Sequence, residues 1–192
     1  ANSGDVEINA DNFPDDVFRQ YVSEAYDEDE DGWLSDSEIA EVEDISFLVN
    51  NIGCASLEGI EFFYNLRELD CTDCELTQLD VSQNEALVEL SCVGNALTKL
   101  TLGYLPDLRM LCAEGNRLTS IGIGQCPILL DAVENRSFRI DDGEAIWEDD
   151  DDGLIISIDA TTVLTDRSAG LYPKNQVFAE LSATALTLGV KE

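Results

Sequence analysis

The chain has 192 residues, 44% of them hydrophobic, and a formal net charge of −31 from 41 acids against 10 bases. That apolar content excludes a disordered tail, and the charge excludes nucleic acid and anionic membrane surfaces as partners while favouring cations. The absence of histidine removes the commonest general base and the commonest zinc and copper ligand.

The N-terminus, "ANSGDVEINAD", has neither a basic start nor an apolar signal core, so a secretion signal is either absent or removed. No apolar run approaches the roughly 18 residues of a membrane span. A helix is expected next. Pro14 suits its first turn, Asp15 and Asp16 suit its positive end, and Val17, Phe18, Tyr21, Val22, Ala25 and Tyr26 form an apolar stripe at helical spacing.

The stretch "DEDEDGWLSDSE" follows, residues 27–38. It matches the EF-hand loop D-x-[DN]-x-[DN]-G-x5-E at every specified place. Asp27, Asp29 and Asp31 stand at ligand positions 1, 3 and 5, and Gly32 at the sharp turn. Trp33 offers its carbonyl at position 7, Ser35 stands at position 9, and Glu38 closes the loop. Hard oxygen ligands in this number suit calcium rather than zinc or magnesium. The plainer alternative is a solvated acidic linker. Ser35 and Glu38 also read as a capping box for an exit helix carrying Ile39 and Val42. A single EF-hand lacks its usual partner, so Val17, Phe18, Tyr21 and Val22 are expected to pack toward Ile45, Phe47 and Leu48.

A repeat comes next. "LRELDCTDCEL" (66–76), "LVELSCVGNAL" (87–97) and "LRMLCAEGNRL" (108–118) share one template, with Leu66, Leu87 and Leu108 each 21 residues apart. L-x-x-L-x-C-x-x-N-x-L is the leucine-rich-repeat pattern. Leu69 with Cys71, Leu90 with Cys92, and Leu111 with Ala113 lie two apart and share one side of a strand. Strands are therefore expected near 68–72, 89–93 and 110–114, stacked in parallel over a shared core. Asn95 and Asn116 fall at turns, with Cys74 in their place in the first regular unit. Cys71 and Cys92 read as buried free thiols, Cys112 as outward-facing, and Cys54 and Cys126 as turn or convex residues; no disulfide is assigned.

Residues 45–66 look like an irregular first repeat, through Leu57, Ile60, Phe63 and Leu66. "CPILLDAVENRSF" is read as opening a last unit at Leu129. Residues 136–166 read as β-rich, with a strand run from Leu154 to Ile158 covering the open end. "EDDDDG" (148–153) places Glu148, Asp150, Asp152 and Asp159 at loop positions, but the apolar Ile156 at position 9 favours a solvated hairpin turn. Residues 167–192 carry no readable pattern.

The string "FPDDVFRQYV…DEDEDGWLSDSEI…LEGIEFFYNLRELDC…LTQLDVSQN…L" resembles secreted and surface leucine-rich-repeat proteins of Gram-positive, gut-dwelling bacteria. It is similar, more distantly, to the internalins, in which "LEGI…NL" phrases recur and an EF-hand-like helical cap precedes the repeats. The resemblance covers roughly residues 8–135 and implies recognition or adhesion at the cell surface. The fold expected is an α/β solenoid, a short right-handed leucine-rich-repeat superhelix with a parallel β-sheet. An EF-hand-like helical cap over 1–44, repeats over 45–135, a β-rich C-terminal cap over 136–166 and an unassigned tail divide the chain.

The function expected is a calcium-binding, extracellular protein-recognition or adhesion module, secreted or at the cell surface and monomeric. Its binding face consists of the outward residues Glu68, Asp70, Thr72, Glu89, Ser91, Val93, Met110, Cys112 and Glu114, whose acidity points to a basic protein or peptide. Two alternatives stand beside this. A calcium-dependent docking module of the dockerin kind would need a second loop in tandem. An enzyme finds no histidine, no Gly-x-Ser-x-Gly and no phosphate-binding loop.

Overall fold

The computed structural model describes residues 4–47, 53–135, 138–141, 144–147, 154–159 and 162–165. The chain opens with strand β1 (Val6–Glu7), helix α1 (Asp16–Tyr26), strand β2 (Trp33–Leu34) and a short helix α2 (Asp36–Ala40). Asp15 is the N-cap of α1; its Oδ1 accepts from the amides of Val17 and Phe18, both at 2.9 Å, which satisfies two of the N–H groups a helix start leaves open. The capping box expected of Ser35 and Glu38 is formed and starts α2. β1 pairs antiparallel with β2, Val6 opposite Leu34 and Glu7 opposite Trp33. Two residues are too few to show an alternation, so β1 leaves no sequence signal.

Next come β3 (Asp44–Ser46), β4 (Glu68–Asp70), β5 (Gln78–Asp80), β6 (Glu89–Ser91), β7 (Lys99–Thr101), β8 (Met110–Cys112) and β9 (Ser120–Gly122). β3, β4, β6 and β8 form a parallel ladder in which Ile45, Leu69, Leu90 and Leu111 stand in register. The ladder runs on past the strand ends, since the Asp73 amide donates to the Val93 carbonyl and the Gly94 amide to that of Glu114. β5 and β7 pair in parallel as a second sheet.

The inward positions are apolar and closed to water. Leu69, Cys71, Leu90, Cys92, Leu111 and Ala113 are all buried, as are Leu79, Val81, Leu100, Leu102, Ile121 and Ile123. One strand cannot bury its apolar face alone; stacked coils make one continuous core. Asn95 and Asn116 hold adjacent coils together from the turns. The Asn95 Oδ1 accepts from the Cys74 and Leu76 amides at 3.1 and 2.9 Å, and its Nδ2 donates to the carbonyls of Cys71, Cys92 and Val93.

The irregular first unit is as buried as the regular ones at Leu57, Ile60, Phe63 and Leu66, with a 3-10 turn over Ile60–Phe62. Cys54 and Cys126, expected in turn or convex regions, are buried, because the inward positions of this narrow core are filled from every side of the coil.

The unit expected at Leu129 is not a strand. Pro127–Asn135 forms helix α3, since Pro127 suits a first turn and Leu129, Ala132 and Val133 fall on one buried helical side. An antiparallel pair follows, β10 (Phe138–Asp141) with β11 (Glu144–Trp147). β12 (Ile155–Ser157) then pairs antiparallel with β11 and parallel with β8, placing Ile156 beside Leu111. β13 (Val163–Thr165) pairs in parallel with β9. β12 therefore continues the parallel ladder after an excursion, at a step of 156 − 111 = 45 residues instead of 21, while β13 and β9 form a two-stranded sheet of their own. The sequence run Leu154–Ile158 is a strand as expected, but as a further rung of the parallel ladder.

Candidate functional site

The acidic loop sits between α1 and α2, and its side chains fold inward onto its own amides. Asp27, only 8% exposed, accepts from the Asp31 amide through Oδ1 (3.1 Å) and from the Gly32 amide through Oδ2 (3.0 Å). Gly32 has φ +83°, a conformation that glycine adopts without cost. The Glu38 carboxylate reaches back across the loop. Its Oε1 accepts from the Glu28 amide at 2.8 Å, and its Oε2 from both the amide and the hydroxyl of Ser35 at 2.7 Å. The Ser35 hydroxyl, followed by the Ser35 amide, lowers the pKa of Glu38 and holds it as an anion.

Carboxylate oxygens of Asp27, Asp29 and Glu38 lie within 4.8 Å of one another. Of the six sequence candidates, these three are brought together. The Asp31 carboxylate accepts from the Trp33 amide at 2.8 Å, Trp33 lies in β2 opposite Glu7, and Ser35 caps α2 through its hydroxyl. The donor set at the convergence is oxygen only, and the hard-cation chemistry of calcium fits it. The Ile8 amide donates to the Gly32 carbonyl at 3.0 Å, so the chain just after β1 braces the loop.

The helices are fastened to the first repeat by aromatic rings. Phe18 meets Phe47 with ring centroids 5.8 Å apart, Tyr21 meets Phe47 at 5.2 Å, and Tyr26 meets Phe63 at 5.4 Å. Such pairs add to burial energy by about 0.5–1.5 kcal/mol each. Phe18 and Val22 pack inward as expected, but Val17 does not and is 44% exposed. Its place is taken by Phe13, fully buried against Phe18 and Phe62, which precedes the helix and so lay outside the helical stripe. Leu48 lies outside the described residues. Polar bonds add to the seam: Tyr64 Oη donates to Asp36 Oδ1 at 3.0 Å and Asn65 Nδ2 to the Ala40 carbonyl at 2.9 Å.

The second loop read over residues 148–159 has no structural support at its closing residue. The two Asp159 carboxylate oxygens accept from the amides of Gly115 and Asn116, at 2.8 and 2.9 Å, so Asp159 does for its coil what asparagine does for the others. Residues 148–153 lie outside the described residues, as does the tail beyond Thr165.

On the exposed sheet face, Glu68 is exposed, while Asp70, Thr72, Glu89, Ser91, Val93, Met110, Cys112 and Glu114 are half-buried. The register sets like residues side by side. Asp44, Glu68 and Glu89 neighbour one another on successive strands, followed by Met110 and Ile155. Thr72 and Ser91 share a hydroxyl hydrogen bond of 3.0 Å. The face thus passes from acidic to apolar along the stack. A shallow depression at its rim is lined by Glu43, Arg67, Glu68, Glu89, Asp107 and Arg109, so the rim carries both signs.

No family model and no curated protein matches this sequence. Among solved structures, the chain is similar to the functional domain of InlJ from Listeria monocytogenes, described as including a cysteine ladder. The two are 31% identical with a TM-score of 0.56, over 65% of this chain and 27% of that one. The repeats are consistent with an internalin-like pattern. The chain has an α/β repeat fold of the leucine-rich kind, and Cys71 and Cys92, free, buried and in neighbouring coils, stand one above the other in it. Among the described residues no helix is long and apolar enough to cross a membrane.

Proposed function

We propose that this chain is a calcium-stabilised recognition module of a secreted or cell-surface protein, without catalytic activity. Residues 45–135 form a short right-handed leucine-rich-repeat solenoid that β12 extends by one rung, residues 1–44 an EF-hand-type cap on its first coil, and the β10–β11 pair a β-rich cap at the other end. The convergence of Asp27, Asp29 and Glu38 in a loop whose helices pack on the first repeat carries this reading. Calcium would be held by these three, with Asp31, Trp33 and Ser35 completing the loop's ligand positions. Its role is structural: the ion offsets the mutual repulsion of carboxylates that the fold has drawn together. The monomer presents Glu68, Asp70, Glu89 and their neighbours to a protein or peptide ligand with basic groups opposite the acidic end, and the internalin-like repeats support this reading.

Calorimetry and thermal melts test the proposal. At about 1 mM calcium, a site with a dissociation constant near 10 μM adds about 2.7 kcal/mol of stability. The melting temperature is expected to be higher in calcium than in chelator, and Glu38→Gln to remove most of the difference. Equal melting temperatures in both buffers, with no calcium uptake by calorimetry, would reduce the loop to a self-bonded acidic turn.

A further inference from the structure

The rungs of this fold divide their main-chain bonds between two neighbours. In β4 the even residues serve one side and the odd residues the other. The Glu68 amide donates to the Glu43 carbonyl on the β3 side, and the Cys71 amide to the Ser91 carbonyl on the β6 side. A strand with a partner on each edge is satisfied throughout in this way. β5 repeats only the odd half of the pattern. The Val81 amide donates to the Thr101 carbonyl on the β7 side, and the Thr77 carbonyl accepts from the Thr98 amide. Gln78 and Asp80 therefore turn their main-chain groups away from β7, and among the described residues no strand pairs with that edge.

The coil that would supply the strand bends aside. Leu57 stands 79 − 57 = 22 residues before Leu79 and is buried like it. The amides around Leu57, however, are taken by side chains. Those of Ala55 and Ser56 donate to Asp15 Oδ2, that of Glu58 to Ser56 Oγ, and that of Gly59 to Glu61 Oε2. A groove of about 430 Å³ opens between residues 56–58 and β5. Leu57 and Leu79 give its lining an apolar part, and Glu58, Glu61 and Asp80 an acidic one. Lys99, beside Gln78 on β7, is the one cation among the lining residues.

We propose that this groove receives an extended segment of a partner protein, which adds to β5 as the missing rung and carries basic side chains on either side of one apolar residue. The main chain of β5 supplies the affinity and the groove walls the selectivity, as in other cases of strand addition. The pairing of β3 with β4 gives the geometry, with Ile45 opposite Leu69. By the same pattern the incoming residue opposite Leu79 donates its amide to the Gln78 carbonyl and accepts from the Asp80 amide through its own carbonyl. Its side chain points to the same side as Leu79, which is buried, and so is apolar. The residues before and after it stand beside Gln78 and Asp80, both exposed, and their side chains meet the acidic lining. Three carboxylates against one ammonium group favour lysine or arginine there and repel an acidic strand. The groove uses neither the calcium loop nor the face made by β4, β6 and β8, so this proposal and the preceding one can fail separately.

The test uses the full chain in calcium, labelled with nitrogen-15, and a blocked five-residue peptide of threonine, lysine, valine, arginine and threonine. In the free chain the Gln78 and Asp80 amides are expected to exchange with solvent faster than those of Leu79 and Val81. Titration with the peptide should shift the resonances of Gln78, Leu79 and Asp80 and slow the exchange of Asp80. The same peptide methylated at the valine nitrogen cannot donate to Gln78, and should bind about tenfold more weakly. Glu58→Lys changes an exposed side chain and should weaken binding by a similar factor, and added salt should weaken it as well. Slow exchange of Gln78 and Asp80 in the free monomer would show that another segment of this chain already covers the edge, and would overturn the proposal. Protection that appears only with dimerisation would overturn it too, by making a second copy the occupant. Equal binding of the methylated peptide, no binding at millimolar peptide, or binding abolished by Glu68→Lys and retained in Glu58→Lys would likewise refute it.

Discussion

Replacing Asn95 with alanine tests whether the turn amides hold the coils together. The side chain is 8% exposed and makes five hydrogen bonds to the backbone, two as acceptor and three as donor. Alanine leaves the Cys74 and Leu76 amides without an acceptor in a place that water does not reach. A buried donor left unsatisfied costs about 1–3 kcal/mol, and a carbonyl with one lone pair unused costs less. The two amides and three carbonyls together give about 4 kcal/mol, which for a chain of this size lowers the melting temperature by about 8–16 °C. Urea unfolding followed by circular dichroism measures it. Asn116→Ala provides the scale inside the same protein, because Asn116 is half-buried and, among the described residues, accepts from the Leu97 amide alone; about half the cost is expected there. Asn95→Asp keeps both acceptor bonds but sets a carboxylate against three carbonyls, and should be no milder than alanine. Asp159 tolerates its carboxylate because it serves two amides. A stability for Asn95→Ala within about 1 kcal/mol of the parent, or a larger loss for Asn116→Ala, would refute the account.

Other changes probe the core, the thiols and the seam between helix and repeats. Leu90 is fully buried between Leu69 and Leu111, so Leu90→Asp should exceed the 5–15 kcal/mol total stability of an ordinary domain or come close to it, and yield unfolded protein by circular dichroism. Burial raises the Cys92 thiol from an ordinary 9.0 to about 12. The unfolded chain releases this proton first, so stability is complete below pH 9 and declines as pH rises toward 12, and Cys92→Ala should flatten that slope in alkaline denaturation. Gly59 has φ +105°, and a Cβ there would stand 2.3 Å from the Phe13 ring. Gly59→Ala is expected to cost about 2–4 kcal/mol and to raise the amide exchange of α1 more than that of β6.

The sequence spoke most clearly where a physical constraint repeats. The 21-residue step, the inward residues from Leu69 to Ala113 and the turn asparagines were all legible, because each coil must solve the same burial problem as its neighbour. The acidic loop was legible for another reason: its aspartates, glycine and closing glutamate stand at fixed offsets. What escaped were features without a period. Strand β1 is two residues long. Phe13 fills the core from outside the helix whose stripe was being read, and displaces Val17 from the part expected of it. The rung formed by β12 was hidden by its step of 45, since α3 and the β10–β11 pair are inserted before it. Asp159 stood out only as the last place of a loop pattern that Ile156 argued against, because an acid near an acidic stretch offers no sign that two amides of another coil await it.

The acidic loop, the helices and the first coil are best understood as one solution to an end problem. In a stack of coils each unit is covered by the next, and β3, at the edge of the seven-stranded sheet, has no further strand beside it among the described residues. Its Ile45 and the Phe47 that follows it are both buried, and α1 packs Phe18 and Tyr21 against Phe47. The helix can do this only if its C-terminal end is held, and that end is Asp27, at once the C-cap of α1 and the first residue of the acidic loop. Charge repulsion among Asp27, Asp29 and Glu38 therefore acts on the element that seals the core. A protein with a net charge of −31 has every reason to keep carboxylates apart, and here the chain draws three of them together at the point where its sealing helix ends. A bound cation would turn that repulsion into a clamp, coupling the loop to Phe47 without moving the repeats.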